Sequence, residues 1–439
     1  MRYALTPSND ESGPRNTHGS RIRPAAISSQ SSHAPVKVAF VVQRCGREVH
    51  GGAETLCLTL AQRMARYWET TVLTTCALDY MRWDNYYPEG DEVLAETVIR
   101  RFPVDHPRDV ARFDAFSQAV CERSPGASLE MQEEWMTLQG PISSKLLAYL
   151  TSESTCYDLF IFFGYLYATT YFGLPRVADR ALLAPLAHDE WPIHLSMWDD
   201  FFKRPNGFIF QTEEEKAFLE RRFSNTTLKG PVAGIGIEAP PEVSPESFRE
   251  QYDLQKPFIL YAGRIDASKG CGEMFEYFLR METEPGAGYD LVTIGKEVLS
   301  VPFHDRIIHL GFVSEEDKWN AMAACEWLIL PSPFESLSIS LLEGWVMGRP
   351  AIVSAKAEVL QGHCRRSNGG LWYRNYAEFA TILGTVSEDV RRQLGAAGHR
   401  YVTQHYVWSR IEAIYLAAFS GPILCERSEE PTAPSPDTN

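Results

Sequence analysis

The hydrophobic pattern alternates between two kinds of segment along most of the chain. Short runs of β-branched and aromatic residues, such as VKVAFVV (36–42) and TTVLTTC (70–76), predict buried strands. Longer segments between them carry apolar residues every three or four positions, and GGAETLCLTLAQRMARYW (51–68) is the first. Strands that alternate with helices indicate an α/β architecture with parallel sheets.

A second alternating block follows a proline-rich stretch. Residues 238–257 contain four prolines and many charges, and we expect a linker over 238–256. The runs PFILYAG, YDLVTIG, DRIIHLGFV, EWLILPS and RPAIVS then predict the strands of a second sheet, and residues 405–420 predict a closing amphipathic helix.

The pattern therefore predicts two doubly wound, Rossmann-like domains, 36–237 and 257–404, that face a cleft. In such folds ligands bind at the carboxyl ends of the strands, so chemistry is expected in the loops there. Residues 1–35 and 421–439 are rich in polar residues and proline, and we expect both to be disordered tails.

Composition narrows the class of protein. The 439 residues are too many for one ordinary core, and a net charge of −15 argues against a nucleic-acid partner. No run of 18 apolar residues predicts a membrane span. Nine cysteines without a C-x-x-C pair favour reduced thiols in a cytoplasmic protein and predict no metal site. The chain has no G-x-G-x-x-G, which argues against a nicotinamide or flavin cofactor.

Two cations follow the first strand of the second block, in YAGRIDASKG. Arg264 and Lys269 would lie in the loop and first helical turn after that strand, where a diphosphate would meet both cations and the amides of a helix start. The alternative is structural: Asp266 could pair with either cation in a surface salt bridge.

Two glutamates frame the segment PSPFESLSISLLEGWVMGRP. Glu335 is predicted in a loop and Glu343 about two helical turns later, and each carboxylate could accept hydrogen bonds from two sugar hydroxyls. The backbone amides of Leu337, Ser338 and Ile339 would lie at the helix start and could hold a second phosphate. Two alternatives stay open: Ser340 and Glu343 fit a capping box, and Glu335 could be a solvated loop acid.

The first block offers weaker signals. Gly51 and Gly52 would let a ligand approach the backbone closely, although a tight strand-to-helix turn would use them equally. His188, just after an apolar run, could face the cleft and contact a donor-sugar hydroxyl, and a structural histidine is the alternative.

Together these residues resemble the retaining glycosyltransferases of the GT-B fold, in particular the large family 4 group, from about Val36 to Phe419. The resemblance implies that the segment GRIDASKG binds the donor diphosphate through Arg264 and Lys269. It implies that FESLSISLLEG places Glu335 on the donor sugar and Glu343 on the ribose hydroxyls.

The same resemblance assigns HLGFV, with Phe312 and Val313, to the base pocket, mostly through backbone groups, and it supports a site role for His188 and the Gly51-Gly52 pair. The chain departs from the family where Ser336-Leu337-Ser338 replaces the Gly-Phe-Gly of many members.

We therefore expect a metal-independent, retaining glycosyltransferase without a cofactor. It would move a hexose-type sugar from a nucleoside diphosphate sugar to a hydroxyl of a glycan, lipid-linked or small-molecule acceptor, in polysaccharide or glycoconjugate synthesis. Membrane contact would be at most peripheral. The alternatives are a nucleotide-sugar epimerase or phosphorylase of similar architecture, and a non-catalytic partner subunit, which would be expected to lack Arg264, Lys269 or Glu335.

Overall fold

The computed structural model describes residues 35–224, 226–281 and 288–419. The tails expected at 1–35 and 421–439 lie outside this range, except for Pro35. Two sheets with helices on both faces belong to one compact unit that begins at Val36.

The N-terminal half is built on a seven-stranded sheet. Its order is β3-β4-β2-β1-β5-β6-β7, and all neighbours are parallel except β3 and β4. The strands are β1 Lys37–Arg44, β2 Glu69–Thr75, β3 Gly90–Leu94, β4 Thr97–Phe102, β5 Leu159–Phe163, β6 Ala181–Ala184 and β7 Gly207–Phe208. The helices are α1 Gly52–Met64, α2 Val110–Arg123, α3 Leu129–Gln139, α4 Ser144–Ser152, α5 Ala168–Gly173, α6 Met197–Phe201 and α7 Glu213–Arg222.

The C-terminal half is built on a six-stranded, all-parallel sheet of order β10-β9-β8-β11-β12-β13. Its strands are β8 Phe258–Ala262, β9 Asp290–Ile294, β10 Ile307–Gly311, β11 Trp327–Leu330, β12 Ala351–Ser354 and β13 Gly370–Tyr373. Its helices are α8 Pro245–Gln251, α9 Cys271–Arg280, α10 Glu315–Ala324, α11 Ile339–Val346, α12 Glu358–Ser367, α13 Tyr376–Thr385 and α14 Glu388–His405. A last helix, α15, spans Trp408–Phe419.

Burial explains why the strands could be predicted. All five residues of β5, LFIFF, are buried, and so are seven of the eight residues of β1, because helices cover both faces of each parallel sheet. Side-chain caps fix several helix starts: Ser, Thr, Asp or Asn accepts a hydrogen bond from a first-turn N–H at Asp109, Ser128, Ser143, Thr212, Ser314, Asn375 and Ser387.

The two halves share one hydrophobic cluster, which includes Phe40 of β1, Leu260 of β8 and Ile411 of α15. The helix α15 packs on the N-terminal half, where Glu412 accepts hydrogen bonds from Arg63 at 3.0 Å and from the Tyr67 hydroxyl at 2.9 Å. The chain thus returns to its first half at the end of the described residues.

Two sequence-based boundaries differ from the structure. The closing helix begins at Trp408 instead of His405, because α14 ends at His405 and the turn at Tyr406 accepts a hydrogen bond from Ile237 N–H at 2.7 Å. The expected linker contains α8, which has a proline in its first turn. The domain boundaries themselves stay a prediction.

Candidate active site

Lys269 and Glu335 meet at the carboxyl ends of β8 and β11. Lys269 ends a single 3₁₀ turn, Ala267–Lys269, and Gly270 follows in the left-handed region with φ +75°. A side chain at Gly270 would overlap the carbonyl oxygen of Pro331, so glycine lets the two loops approach closely. As a result Lys269 Nζ lies 2.9 Å from Oε1 of Glu335, with 36% and 15% of the two side chains exposed.

Arg264 lies in the same loop and faces the other half of the molecule. Its Nε is 3.1 Å from Oδ2 of Asp266, and its guanidinium carbon is 4.6 Å from the ring centroid of Tyr80 in the loop after β2. Of the two cations, Asp266 therefore pairs with Arg264, whereas Lys269 pairs with Glu335. Nothing in the sequence marks Tyr80 as a contact of Arg264.

Glu343 is held by a lysine that the sequence did not single out. Its Oε1 is 2.9 Å from Nζ of Lys318 on α10, and only 13% of its side chain is exposed. Burial raises the pKa of Glu343, and Lys318 acts against that shift. Burial alone would lower the pKa of Lys318, but Glu343 and Glu315 raise it above its ordinary value.

The capping-box alternative for Glu343 is wrong. The N-cap of α11 is Ser338 and not Ser340, and among the described residues no side-chain hydrogen bond caps this helix. Ser338 adopts the left-handed conformation with φ +66°, which costs free energy for a serine and none for a glycine. Many members of the family that the sequence resembles have glycine at this position. Serine in its place therefore adds a conformational free-energy cost to the backbone. The amides of Ile339 and Ser340, the first two residues of α11, have no carbonyl one turn earlier in the helix to accept their hydrogen bonds.

A buried histidine supports this loop from behind. His363 of α12 is fully buried, and its Nε2 lies 3.1 Å from the carbonyl oxygen of Leu337, so Nε2 carries the proton that is donated. Burial, with a smaller effect of Arg366, lowers the pKa of His363 to about 3 and keeps the ring neutral. His363 thereby holds the loop that starts α11.

His188 faces the same loop from the N-terminal half. Its ring stacks on Phe334, with centroids 5.3 Å apart and planes inclined by 24°, and Phe334 directly precedes Glu335. The buried Nδ1 lies 3.5 Å from Oε1 of Glu190 without hydrogen-bond geometry. His188 therefore contacts the opposite half of the molecule.

The two glycines after β1 are not equivalent. A Cβ at Gly51 would overlap the carboxylate of Glu54, whereas a Cβ at Gly52 would meet no atom of the described residues within 4 Å. Phe312 is 59% exposed and its ring lies 5.0 Å from that of His50, so the strand end after β10 meets this turn. The side chain of Val313 packs against the shared hydrophobic cluster, which leaves its backbone for any contact with a ligand.

The predicted residues thus form neighbouring contacts. Lys269 contacts Glu335 within the C-terminal half. Three further contacts join the two halves: Arg264 with Tyr80, His188 with Phe334, and Phe312 with His50. Within the described residues, no three His, Cys, Asp or Glu side chains are grouped so that they could hold a metal ion. No helix in the same residues has the length and apolar character needed to cross a membrane.

Comparison with known proteins adds a fold and a family match. Sucrose-phosphate synthase from Thermosynechococcus elongatus aligns with a TM-score of 0.64 and 17% identity over 87% of this chain and 98% of the other. Anabaena HepE in complex with UDP and glucose aligns with a TM-score of 0.62 and 15% identity, over 88% and 99% of the two chains. The fold is of the GT-B type. This confirms the predicted fold class.

Residues 256–389 match the family model described as Glycosyl transferases group 1. An alpha-D-kanosaminyltransferase from Streptomyces kanamyceticus is 30% identical over 128 residues, which are 26% of this chain. The match spans 32% of that enzyme. It is the C-terminal half, with Arg264, Lys269, Glu335 and Glu343, that carries the family match.

Proposed function

We propose that this protein is a glycosyltransferase that moves a hexose-type sugar from a nucleoside diphosphate sugar to an acceptor hydroxyl. The observation that carries the proposal is the contact between Lys269 and Glu335 at the start of α11, with His188 stacked on the neighbouring Phe334. A cation, a carboxylate and an imidazole are thus brought to the loop that precedes α11, where the two halves meet. The family match over residues 256–389 supports the donor side of this assignment.

The charges suit the departure of a nucleotide. When the bond between the sugar C1 and the β-phosphate oxygen breaks, negative charge grows on the phosphate and positive charge on the sugar ring. The phosphate would be stabilised by Lys269, Arg264 and the free amides at the start of α11. Lys269 would then contact the phosphate in place of Glu335. Glu335 and His188 would then be free to contact the sugar, and Glu343 the ribose.

We further propose that transfer retains the anomeric configuration and needs no divalent metal. The acceptor oxygen would form its bond to C1 on the face that the phosphate leaves, and the departing phosphate oxygen would take the acceptor proton. Covalent trapping of the sugar on Glu335, detected by intact mass, would contradict this sequence of events.

The acceptor is proposed only as a class: a hydroxyl of a glycan, a lipid-linked sugar or a small molecule, in polysaccharide or glycoconjugate synthesis. A cytoplasmic location with at most peripheral membrane contact is part of the same proposal.

The test is a thermal-shift screen with UDP, GDP, ADP, CDP and dTDP, without added metal. The variants are the wild type, Arg264→Ala and, as a control, Arg374→Ala, whose arginine is 73% exposed in the same half. A nucleotide at 100 times its Kd stabilises the folded state by about 2.7 kcal/mol. We expect one nucleotide to stabilise the wild type and the control but not Arg264→Ala. If no nucleotide stabilises the wild type, the proposal fails.

A further inference from the structure

The start of α7 contains a capping sequence whose hydrogen bonds differ from those of an ordinary capping box. Thr212 and Glu215 have the T-x-x-E spacing, and Oγ1 of Thr212 accepts a hydrogen bond from Glu215 N–H at 3.2 Å. In an ordinary box the glutamate would return to the N–H of Thr212. Here Oε2 accepts instead from Gln211 N–H at 2.6 Å.

The other carboxylate oxygen of Glu215 reaches the loop of His188. Oε1 accepts a hydrogen bond from Ala187 N–H at 2.7 Å, and Ala187 directly precedes His188. Leu186, one residue earlier, has φ +54°, a conformation that a leucine adopts only when its surroundings hold it there. Glu215 is 1% exposed, so its carboxyl is satisfied by backbone donors in place of water.

The hydroxyl of Thr212 reaches the other half of the molecule. It donates a hydrogen bond to the carbonyl oxygen of Ser336 at 3.1 Å, and Ser336 directly follows Glu335. One hydroxyl therefore accepts from α7 and donates to the loop of the C-terminal half. The neighbouring Glu214 also crosses between the halves, because its Oε2 lies 3.0 Å from Nη2 of Arg366, but it contacts neither loop of the site.

We propose that Thr212 and Glu215 are positioning residues that set His188 and Glu335 in place relative to each other. Each acts through backbone: Glu215 through the N–H before His188, and Thr212 through the carbonyl after Glu335. The inference rests on the proposed function, in which these two side chains contact the donor sugar. It also explains why a carboxyl group is buried at a helix start that Thr212 alone could cap.

A comparison of two affinities tests the proposal in the full chain. The probes are UDP, GDP, ADP, CDP and dTDP with their glucose conjugates, measured by titration calorimetry. In the proposed function the affinity for the nucleotide alone depends on Arg264, Lys269 and Glu343. The additional affinity for the glucose conjugate depends on Glu335 and His188. We expect Thr212→Val and Glu215→Gln to change nucleotide affinity less than twofold and to weaken the glucose conjugate at least tenfold.

The controls are Thr212→Ser, which keeps the hydroxyl, and Glu214→Gln, which removes a contact between the halves without touching either loop. Both should behave as wild type. If Thr212→Val and Glu215→Gln are folded and bind the glucose conjugate as the wild type does, the two residues only cap the helix and the proposal is overturned.

A measurement without nucleotide separates this inference from the proposed function. The imidazole nitrogens of His188 are observed by NMR after ¹⁵N-histidine labelling and assigned with His188→Asn. We expect Glu215→Gln to shift these signals and Glu214→Gln to leave them unchanged. Failure of every nucleotide to bind the wild type would refute the proposed function alone. An unmoved His188 signal in Glu215→Gln would refute the positioning role whatever the nucleotide result.

Discussion

The two halves of the molecule hold their charged side chains near the site in different ways. In the N-terminal half Arg44 and Glu54 are 2.6 Å apart with 8% and 6% exposure, and Gln43 donates to the same carboxylate at 2.9 Å. In the C-terminal half Lys269 and Glu335 make one contact and remain partly exposed. The first pair is enclosed by partners, whereas the second has room to exchange partners.

This difference separates scaffold from site. Arg44 also donates to the carbonyl oxygens of Leu78 at 2.7 Å and His50 at 3.2 Å, so it fixes two loops of its own half. The ammonium group of Lys269 instead contacts the side chain of Glu335. We therefore expect the Arg44 pair to govern stability and the Lys269 pair to govern binding and turnover.

The largest expected effect tests the scaffold side. Arg44→Met would leave the buried carboxylate of Glu54 without its cation, and breaking a buried pair from one side costs about 3–5 kcal/mol. Thermal unfolding should show a large fall in melting temperature. In the same assay Lys269→Met should cost less than about 1 kcal/mol, because partly exposed pairs contribute little. Equal losses in the two variants would erase the distinction between the halves.

The next effect tests the site side. Lys269→Met removes a cation that would face the developing phosphate charge, and the loss of one such group costs about 3 kcal/mol in the barrier. Turnover of the glucose conjugate of the nucleotide that the screen identifies, measured as nucleotide release, should fall about a hundredfold or more. Lys356→Met changes an exposed lysine of the same half, paired with Glu273, and should leave turnover unchanged. A fall of less than fivefold in Lys269→Met would remove this lysine from the site.

A third prediction uses one buried titratable group from each half. Burial raises the pKa of Glu215 from 4.5 to about 8 and lowers that of His363 from 6.5 to about 3. The folded protein therefore keeps a proton on Glu215 between pH 4.5 and 8, and stability falls as the pH rises through that window. Below pH 6.5 the unfolded chain binds a proton on His363 and the folded chain does not. The stability of the folded state therefore decreases as the pH falls from 6.5 towards 3.

Between pH 4.5 and 6.5 the two groups change the stability with pH in opposite directions. Above pH 6.5 only Glu215 contributes, and below pH 4.5 only His363 does. Each contribution amounts to at most about 1.4 kcal/mol per pH unit. From pH 6.5 to 8, Glu215→Gln should remove a decline in melting temperature that the wild type and His363→Gln show. From pH 4.5 to 3.5, His363→Gln should remove a decline that Glu215→Gln keeps. Parallel curves for all three proteins would contradict the prediction.

The smallest effect concerns the two glycines after β1. Gly52→Ala should change stability by no more than about 1 kcal/mol, because its Cβ meets open space at a helix start. Gly51→Ala should destabilise by about 1–3 kcal/mol, because its Cβ would displace Glu54. If a donor approaches the backbone here as the sequence predicts, Gly52→Ala will weaken nucleotide binding in calorimetry without a loss of stability. Unchanged affinity would leave the Gly52 position as a turn.

The sequence alone predicts those elements and site residues whose signal lies within one short segment. The buried strands β1, β5, β8 and β11 could be recognised by their apolar runs. The edge hairpin of β3 and β4 could not, since GDEVL is polar and largely exposed. Among the charged residues, Lys269 and Glu335 lie in motifs that stand out by themselves.

The supporting residues could not be found in this way. Lys318 is 25 positions from Glu343, and His363 is 26 positions from Leu337, so only the folded chain brings each pair together. Tyr80 reaches Arg264 from the other half. The T-x-x-E spacing of Thr212 and Glu215 is visible in the sequence, where it indicates an ordinary capping box. In the folded chain Glu215 instead accepts hydrogen bonds from Gln211 and Ala187, and Thr212 donates one to Ser336.

The return of α15 to the N-terminal half limits how this protein can be divided. Glu412 and Phe419 contact Arg63 and Trp68, which lie more than 340 positions earlier in the chain. A fragment that stopped at residue 237 would expose the surface that α15 covers, including part of the shared hydrophobic cluster. A self-standing first half would need residues 408–419 fused to it or supplied as a separate peptide, and binding of that peptide would report how the half assembles.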